Sequence, residues 1–382
     1  MFALARDERI DPALAAAVRF LLARQSPEGA WRSEIYAAFK EGDALTPLVT
    51  GVLLALTPDK KVLACARRGA EFLAGLVRAD GTIAEGPYGL NYPAYTAALT
   101  VTALSGTGPE FDAARNAWLA YLTERQLTEA LGWEPSDQAY GGWGYAHGLP
   151  RKPAPGVPAP LLTESNLSAT VFAVEALRDA GLASSSAAER ALRFVGRCQN
   201  YAGEFDPGDP AFDDGGFFFM YDDPLRNKAG TAGTDQTGRQ RFASYGSMTA
   251  DGLRALLACG LPQTSPRVTA ARHWLEKHFS VTAHPGRFAP GRRAVRASIY
   301  YYYCWSLARA LAAVGAREVS LPSGAVHWAE ALAEELLRRQ RPDGSWVNEA
   351  VDVREDDPVV ATAQAAAALA ACRGALASPL AG

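Results

Sequence analysis

"RPDGSWVNEAVDVREDDPVVATAQAAAAL", residues 341–369, holds a Gly-Trp turn, an acidic run and a helix of small residues in one sweep. Glycine permits a sharp turn. Asp ahead of Pro358 reads as a helix start, with Asp as the capping residue and Pro at the first helical position. From there, "DPVVATAQAAAAL" (357–369) is apolar or small nearly all round, as a helix must be when it is covered on most sides. Ahead of the turn, "GAVHWAEALAEELLRRQ" (324–340) carries apolar residues at three- and four-residue spacing and Arg and Glu on its other face. One of its sides meets solvent. The unit is therefore an outer amphipathic helix, a Gly turn with an aromatic, and an inner apolar helix.

Outward from this stretch the unit recurs, and a fixed recurrence sets the architecture. Gly turns stand at 27–31, 79–83, 140–145, 213–219, 284–288 and 342–346. Inner helices are expected at 46–56, 91–104, 164–177, 245–260, 297–315 and 357–369, with outer partners at 12–25, 62–77, 111–126, 187–199, 266–278 and 324–340. Six pairs predict an all-α chain, a closed (α/α)6 toroid forming one domain over 1–382, with inner-helix ends around a central cavity. An open solenoid is the alternative. Strand signals are nearly absent. Two long loops fall on the expected rim. The Pro-rich 146–162 should be extended, and the polar 221–243 would act as a lid or stand as a surface insertion.

The chain has 382 residues, 48% hydrophobic and 21% charged, as in a globule with a large core. A net charge of −3 argues against a nucleic-acid partner, which needs a dense basic face. Cys65, Cys198, Cys259, Cys304 and Cys372 are scattered, so buried free thiols are expected. No run of 18 apolar residues indicates a membrane span, although membrane association stays open. The first residues lack the apolar core of a signal peptide, and a cytoplasmic location is expected.

Three stretches carry a family likeness: "QRPDGSW" (340–346) with "ATAQAAAAL" (361–369), "YGGWGYAH" (140–147) with "ESNLSATVFAVEAL" (164–177), and "DDGGFFFMYDDP" (213–224) with "YGSMTADGLRALLACG" (245–260). They resemble the Q-and-W repeat of squalene-hopene and other triterpene cyclases, found also in the beta subunits of protein prenyltransferases. The bacterial prenyltransferase and squalene oxidase repeat proteins are similar in the same runs. The likeness covers nearly the whole chain and is specific for fold, less so for activity. It implies an isoprenoid-handling isomerase in which an acid starts carbocation cyclisation in an aromatic-lined cavity. The implied partner is an isoprenoid or other hydrophobic small molecule. Full triterpene cyclases have two such domains, and this chain has room for one.

Class II cyclases protonate an alkene with the middle Asp of Asp-x-Asp-Asp, a carboxyl kept protonated by burial and a neighbouring carboxylate. Here the pairs Asp213-Asp214, Asp222-Asp223 and Asp356-Asp357 have Ala211, Met220 and Arg354 two positions ahead, so the strict motif is absent. "REDDPVVATA" (354–363) comes nearest. The Asp-Asp-x-x-Asp motif of class I synthases fails at Phe217, Arg226 and Val360, and no cysteine has the Asp two residues ahead that a prenyltransferase zinc site uses. No metal or cofactor is implied.

The candidate acids are Asp356 and Asp357, which could equally cap the helix that follows, and Asp251. The last falls six residues into an inner helix, where a buried carboxyl must be paired or protonated; Arg254 and Arg241 are its possible partners. Aromatic faces steady carbocations, and the candidate cavity-lining residues are Tyr92, Tyr95, Trp143, Tyr145, Phe217, Phe219, Tyr245, Tyr301, Tyr302 and Trp305. For these, core packing is the competing assignment. Trp31, Trp143 and Trp346, beside Gly turns, read as wedges between helix pairs. Two other functions stay open: a non-catalytic toroid binding a hydrophobic ligand or peptide, and a carbohydrate enzyme with two facing carboxylates.

Overall fold

The structure, a computed structural model, describes residues 4–56, 59–86, 89–221, 223–321 and 324–377; Asp222 lies outside them. Among the described residues it is mostly helical, with thirteen α-helices and two short β-hairpins. Six apolar helices are α2 (Leu45–Leu56), α4 (Pro93–Thr107), α6 (Leu167–Asp179), α8 (Gly246–Ala258), α11 (Tyr300–Ala313) and α13 (Pro358–Ala377). Amphipathic partners are α1 (Leu4–Leu22), α3 (Lys60–Gly75), α5 (Asp112–Thr123), α7 (Ser186–Arg197), α9 (Pro266–Lys277) and α12 (Trp328–Arg339). A short α10 (Arg293–Ser298) leads into α11.

The starts of these helices follow from capping chemistry. The Asp59 carboxylate accepts from Lys61 N at 2.8 Å at the head of α3, and Asn166 Oδ1 from Ala169 N at 2.8 Å at the head of α6. Asp357 does the same for α13, accepting from Val359 N at 2.8 Å. The apolar helices pack in chain order, α2 on α4, α4 on α6, α6 on α8, α8 on α11 and α11 on α13, and α13 packs on α2 and α1. One hydrophobic cluster runs from Ile10 to Cys372. Helix α13 is long and apolar enough to cross a bilayer, with a mean hydropathy of 1.4. No unbroken apolar run marks it in the sequence, because Thr362, Gln364 and Arg373 interrupt the alanines. Its apolar surface meets α1, α2, α11 and α12.

Four of the six Gly turns are held by a repeated set of hydrogen bonds. The indoles of Trp31, Trp143 and Trp346 donate to Leu21 O, Leu122 O and Leu336 O, each at 2.8 Å, near the ends of the outer helices. The same tryptophans donate their backbone N–H to Thr46, Thr170 and Thr362 Oγ1 on the inner helices at 3.0–3.1 Å. Gln25, Gln126, Gln199 and Gln340 each give one Nε2 proton to a turn carbonyl (Gly29, Gly141, Gly215, Gly344) and another to the next outer helix (Cys65, Ala187, Arg267, Ala13), at 2.8–3.0 Å. The last of these ties the sixth repeat to the first. Gly344 sits at φ +87°, where a Cβ would also strike the carbonyl of Ala16, so only glycine fits.

Strands are more than the sequence suggested. Residues 324–327 form β4 (Gly324–His327), paired antiparallel with β3 (Glu318–Leu321), so α12 begins later than its apolar spacing predicts. In the loop 221–243, β1 (Thr231–Thr234) pairs with β2 (Gln240–Phe242). That loop is pinned. Asn227 Oδ1 accepts from Phe219 N at 2.9 Å, its Nδ2 donates to Met220 O at 2.6 Å, and Arg292 donates to Pro224 O and Asn227 O at 2.9 and 3.0 Å. The Pro-rich loop has no regular structure over 151–160, and Leu161 stands 90% exposed at its end.

Candidate functional site at the inner-helix ends

The N-terminal ends of α6, α8 and α11 meet beside α13, and aromatic rings from three repeats gather there. Tyr95 on α4 meets Phe172 on α6 edge-on at 5.0 Å. Phe172 touches Trp305 at 5.7 Å and Tyr302 at 6.4 Å, both on α11. Nearby, Tyr92 packs edge-on against Tyr145 at 5.5 Å, with the Arg354 guanidinium 5.1 Å from the Tyr92 ring centre. Tyr92 heads α4 at φ +48°, which fixes its ring over this mouth.

The acidic run splits three ways. Glu355 is buried and caps α11: its Oε2 accepts from Tyr300 N and Tyr301 N at 2.9 Å and from Asn348 Nδ2 at 2.9 Å, and its Oε1 from Tyr302 N at 2.8 Å. Burial pushes its carboxyl up to about 7, against the pull of those N–H groups toward the anion. Asp356 accepts from Tyr36 Oη at 2.6 Å. Asp357 caps α13 and also takes the Ser33 hydroxyl.

Asp251 is fully buried in α8 and pairs with Arg254 at 2.9 Å. Arg241 goes elsewhere, to Asp206 and Asp213 at 3.3 and 3.6 Å. Tyr302 Oη donates to Asp251 Oδ2 at 2.7 Å, and Ser306 holds Oδ1. Burial raises Asp251 to about 6, with Arg254 opposing. Arg254 in turn grips Glu175 with two bonds of 3.0 and 2.6 Å, and Arg309 joins at 3.1 Å. Burial works against the Glu175 charge, yet the two arginines hold its carboxyl down at about 2.

Between these groups lies a cavity of about 120 Å³ lined by Ser168, Lys228, Ser247, Met248, Ile299, Tyr302, Val353, Glu355 and Gln364. It is smaller and more polar than the hollow expected. An engineered cavity of about 150 Å³ holds benzene, whereas drug-sized ligands occupy roughly 300–1,000 Å³. Among the described residues no cluster of three His, Cys, Asp or Glu side chains converges on a metal position.

Of the residues singled out in the sequence, Tyr92, Tyr95, Tyr145, Tyr302 and Trp305 come together in this assembly. Phe219 flanks it, 5.3 Å from the Lys228 ammonium. Trp143 and Phe217 do not line the cavity. Both are fully buried at Gly-turn positions, where the Phe217 N–H donates to Thr249 Oγ1 at 3.1 Å as the repeat tryptophans do to theirs. Tyr245 is buried against His284 and Phe288, at 5.7 and 5.8 Å. Tyr301 turns toward the Val347 carbonyl at 3.5 Å. Asp213 and Asp214 lie instead on a separate polar cleft of about 430 Å³ with Trp274 and His278. Sequence reasoning missed Lys228, Phe172 and Gln364, and it passed over Glu355 for its two neighbours.

No family model and no curated protein matches the chain. Solved structures do, and they are similar to it in fold. A variant of type II terpene cyclase MstE from Scytonema, in complex with geranylgeranyl dihydroxybenzoate as substrate, is 16% identical with a TM-score of 0.60. A second MstE variant, holding the product merosterolic acid A, is 16% identical with a TM-score of 0.62; in both, the match covers 97% of this chain and 99% of that one. A glycosidase in complex with glucose is similar too, at 11% identity and a TM-score of 0.52 over 97% of this chain and 98% of its own. One fold thus carries two chemistries, and the choice between them rests on the site.

Proposed function

We propose that the chain is a terpene-cyclase-like, isoprenoid-handling enzyme: a single closed (α/α)6 toroid in which a buried carboxyl protonates an alkene and aromatic rings steady the cation. The observation that carries this reading is Glu355, the one carboxylate among the described residues on the wall of the hub cavity, with its carboxyl raised to about 7. Three donors occupy its Oε2 and one its Oε1, so Oε1 has room for a proton. Tyr302 stands on the same wall, with Phe172, Trp305 and Tyr95 behind it. Cation–π attraction from such rings is worth about 2 kcal/mol where water is excluded. Asp356 and Asp357 serve as the Tyr36 partner and the α13 cap, and Asp251 acts through Tyr302. A cavity of about 120 Å³ takes the reacting end of an isoprenoid chain, and a longer stretch enters only if the 221–243 segment withdraws.

The likeness to structures holding an isoprenoid substrate and product supports this reading, and the hub does not favour a carbohydrate enzyme. A glycosidase needs two carboxylates flanking the bond, whereas Asp251 is ion-paired behind Tyr302. A second reading, a non-catalytic toroid that binds a hydrophobic ligand or peptide, is favoured by the structural partners that every acid at the hub already holds. The deciding experiment incubates the chain with farnesyl, geranylgeranyl and squalene substrates and follows cyclised products by mass spectrometry. Product is expected, and Glu355→Gln should lower its rate by about a hundredfold or more. Absence of product from all three substrates sinks the cyclase reading and leaves the binder.

A further inference from the structure

Lys228 is the hub group that neither reading uses. The chain has only six lysines; Lys40, Lys60, Lys61 and Lys277 are exposed, and Lys152 is paired with Asp137 at 2.8 Å. Lys228 alone lines a cavity between inner helices. Its backbone is fixed from both sides, by the Asn227 side chain and by Arg292, which reaches Asn227 O at 3.0 Å and Lys228 O at 3.4 Å. Yet among the described residues its ammonium has no hydrogen bond and no ion pair; it meets only the Phe219 ring at 5.3 Å. Two buried groups line the same space without a partner, Ser247 Oγ and Gln364 Oε1, in side chains 1% and 7% exposed. A half-buried cation thus shares one cavity with a buried hydroxyl and a buried amide oxygen that are left unsatisfied, although buried polar groups are ordinarily paired.

We propose that Lys228 is a nucleophilic lysine that forms an imine with a small aldehyde or ketone held in this cavity. The volume of about 120 Å³ sets the size at a few heavy atoms around the carbonyl. The amine is available because burial first, then Arg226, pull Lys228 down to about 8, against Asp251 and Glu355. A lysine so placed is the usual source of Schiff-base chemistry, which an always-charged arginine could not supply.

The neutral amine attacks the carbonyl carbon, forming the C–N bond, while the C=O π pair moves to oxygen, which takes the Glu355 proton. The nitrogen then returns one proton to the Glu355 carboxylate, giving a neutral carbinolamine. Ser247 Oγ–H donates to its oxygen, and Gln364 Oε1 accepts from its hydroxyl. Glu355 protonates that hydroxyl, water leaves, and the nitrogen lone pair closes the C=N bond. One amine and one carbonyl thus give one iminium ion and one water, with the Glu355 carboxylate left beside the new cation. The inference uses the cavity and its side chains and does not rest on the isoprenoid reading.

Propanal with cyanoborohydride tests it, the hydride trapping any imine as a propyl amine that peptide mass spectrometry locates. At neutral pH the first propyl group should fall on Lys228, at least about tenfold faster than on any exposed lysine, because each unit of pKa changes the free amine tenfold. Lys228→Arg should abolish that first addition, and Glu355→Gln should slow it about tenfold or more with the label still on Lys228. Labelling of Lys40, Lys60, Lys61, Lys152 or Lys277 ahead of Lys228 overturns the proposal, and the wild-type chain alone decides this should either variant fail to fold. A chain that yields no cyclised terpene and still labels at Lys228 refutes the cyclase reading and leaves this one standing. Cyclised product without Lys228 labelling does the reverse.

Discussion

Glu355, Asp356 and Asp357 are consecutive, yet α11, Tyr36 and α13 each take one of them. A carboxyl that neutral water would ionise is held near 7 in the fold against an ordinary value of 4.5. Between those two values the folded chain keeps a proton that the unfolded chain releases, so stability falls as pH rises through this window, by up to about 3 kcal/mol. Urea unfolding from pH 4.5 to 8 should show a steeper fall in the wild type than in Glu355→Gln, which keeps only the contribution of Asp251 below about 6; equal slopes would mean that the proton is not held. The amide in that variant must also face backbone N–H groups and should cost about 1–3 kcal/mol at high pH. Asp251→Asn strips Arg254 of one of its two anions in a dry site, and a loss of about 3 kcal/mol or more is expected by chemical denaturation. A change within 0.5 kcal/mol would show that Glu175 alone satisfies the guanidinium. That Asp251 needed a partner was legible from its apolar neighbours, and Arg254, one turn on, was the right one of two. Which of the three acids faces the hub was not legible, because successive residues of a turn point in different directions and only distant contacts decide between them.

At the scale of the element, the helix pairs were readable because their signal is local: periodicity of apolar residues, a capping Asp or Asn, and a glycine at each turn. Boundaries slipped where a competing local structure won, as at 324–327, where β4 takes the residues ahead of α12. The loop 221–243 was unreadable for a different reason. Its shape depends on Arg292, which reaches back to Pro224 and Asn227 from a separate repeat, and nothing near Lys228 in sequence announces that it will be carried to the hub. The glutamine staples give the elements a common test. Gln340→Ala leaves the carbonyls of Gly344 and Ala13 short of a donor and should cost about 1–3 kcal/mol. Hydrogen exchange should then speed up in α1 more than in α5, which packs on α4 and α6; equal protection would show that the staple does not couple first and last repeats.

For the whole molecule, the sequence foresaw the order of helices, and the packing of α13 on α1 and α2 is what that order requires if the repeats come round to their start. The interior escaped it. Small-residue helices predict a hollow, but rings and charges occupy its middle and leave about 120 Å³ at the N-terminal ends of the inner helices and about 380 Å³ around Glu175, Arg254 and Arg309. The Pro-rich loop should be the first point of attack by a protease selective for large apolar residues, at Val157 or Leu161, 56% and 90% exposed, with the two fragments staying together. Earlier cleavage between helices of the core would argue against so continuous an interior. The Gln340 bond to Ala13 has a bearing on biosynthesis as well. A chain emerging from the ribosome makes α1 and α2 well before α12 and α13, which cover their flanks. In the interval the nascent polypeptide carries a bare greasy flank, the condition under which holdase chaperones matter most.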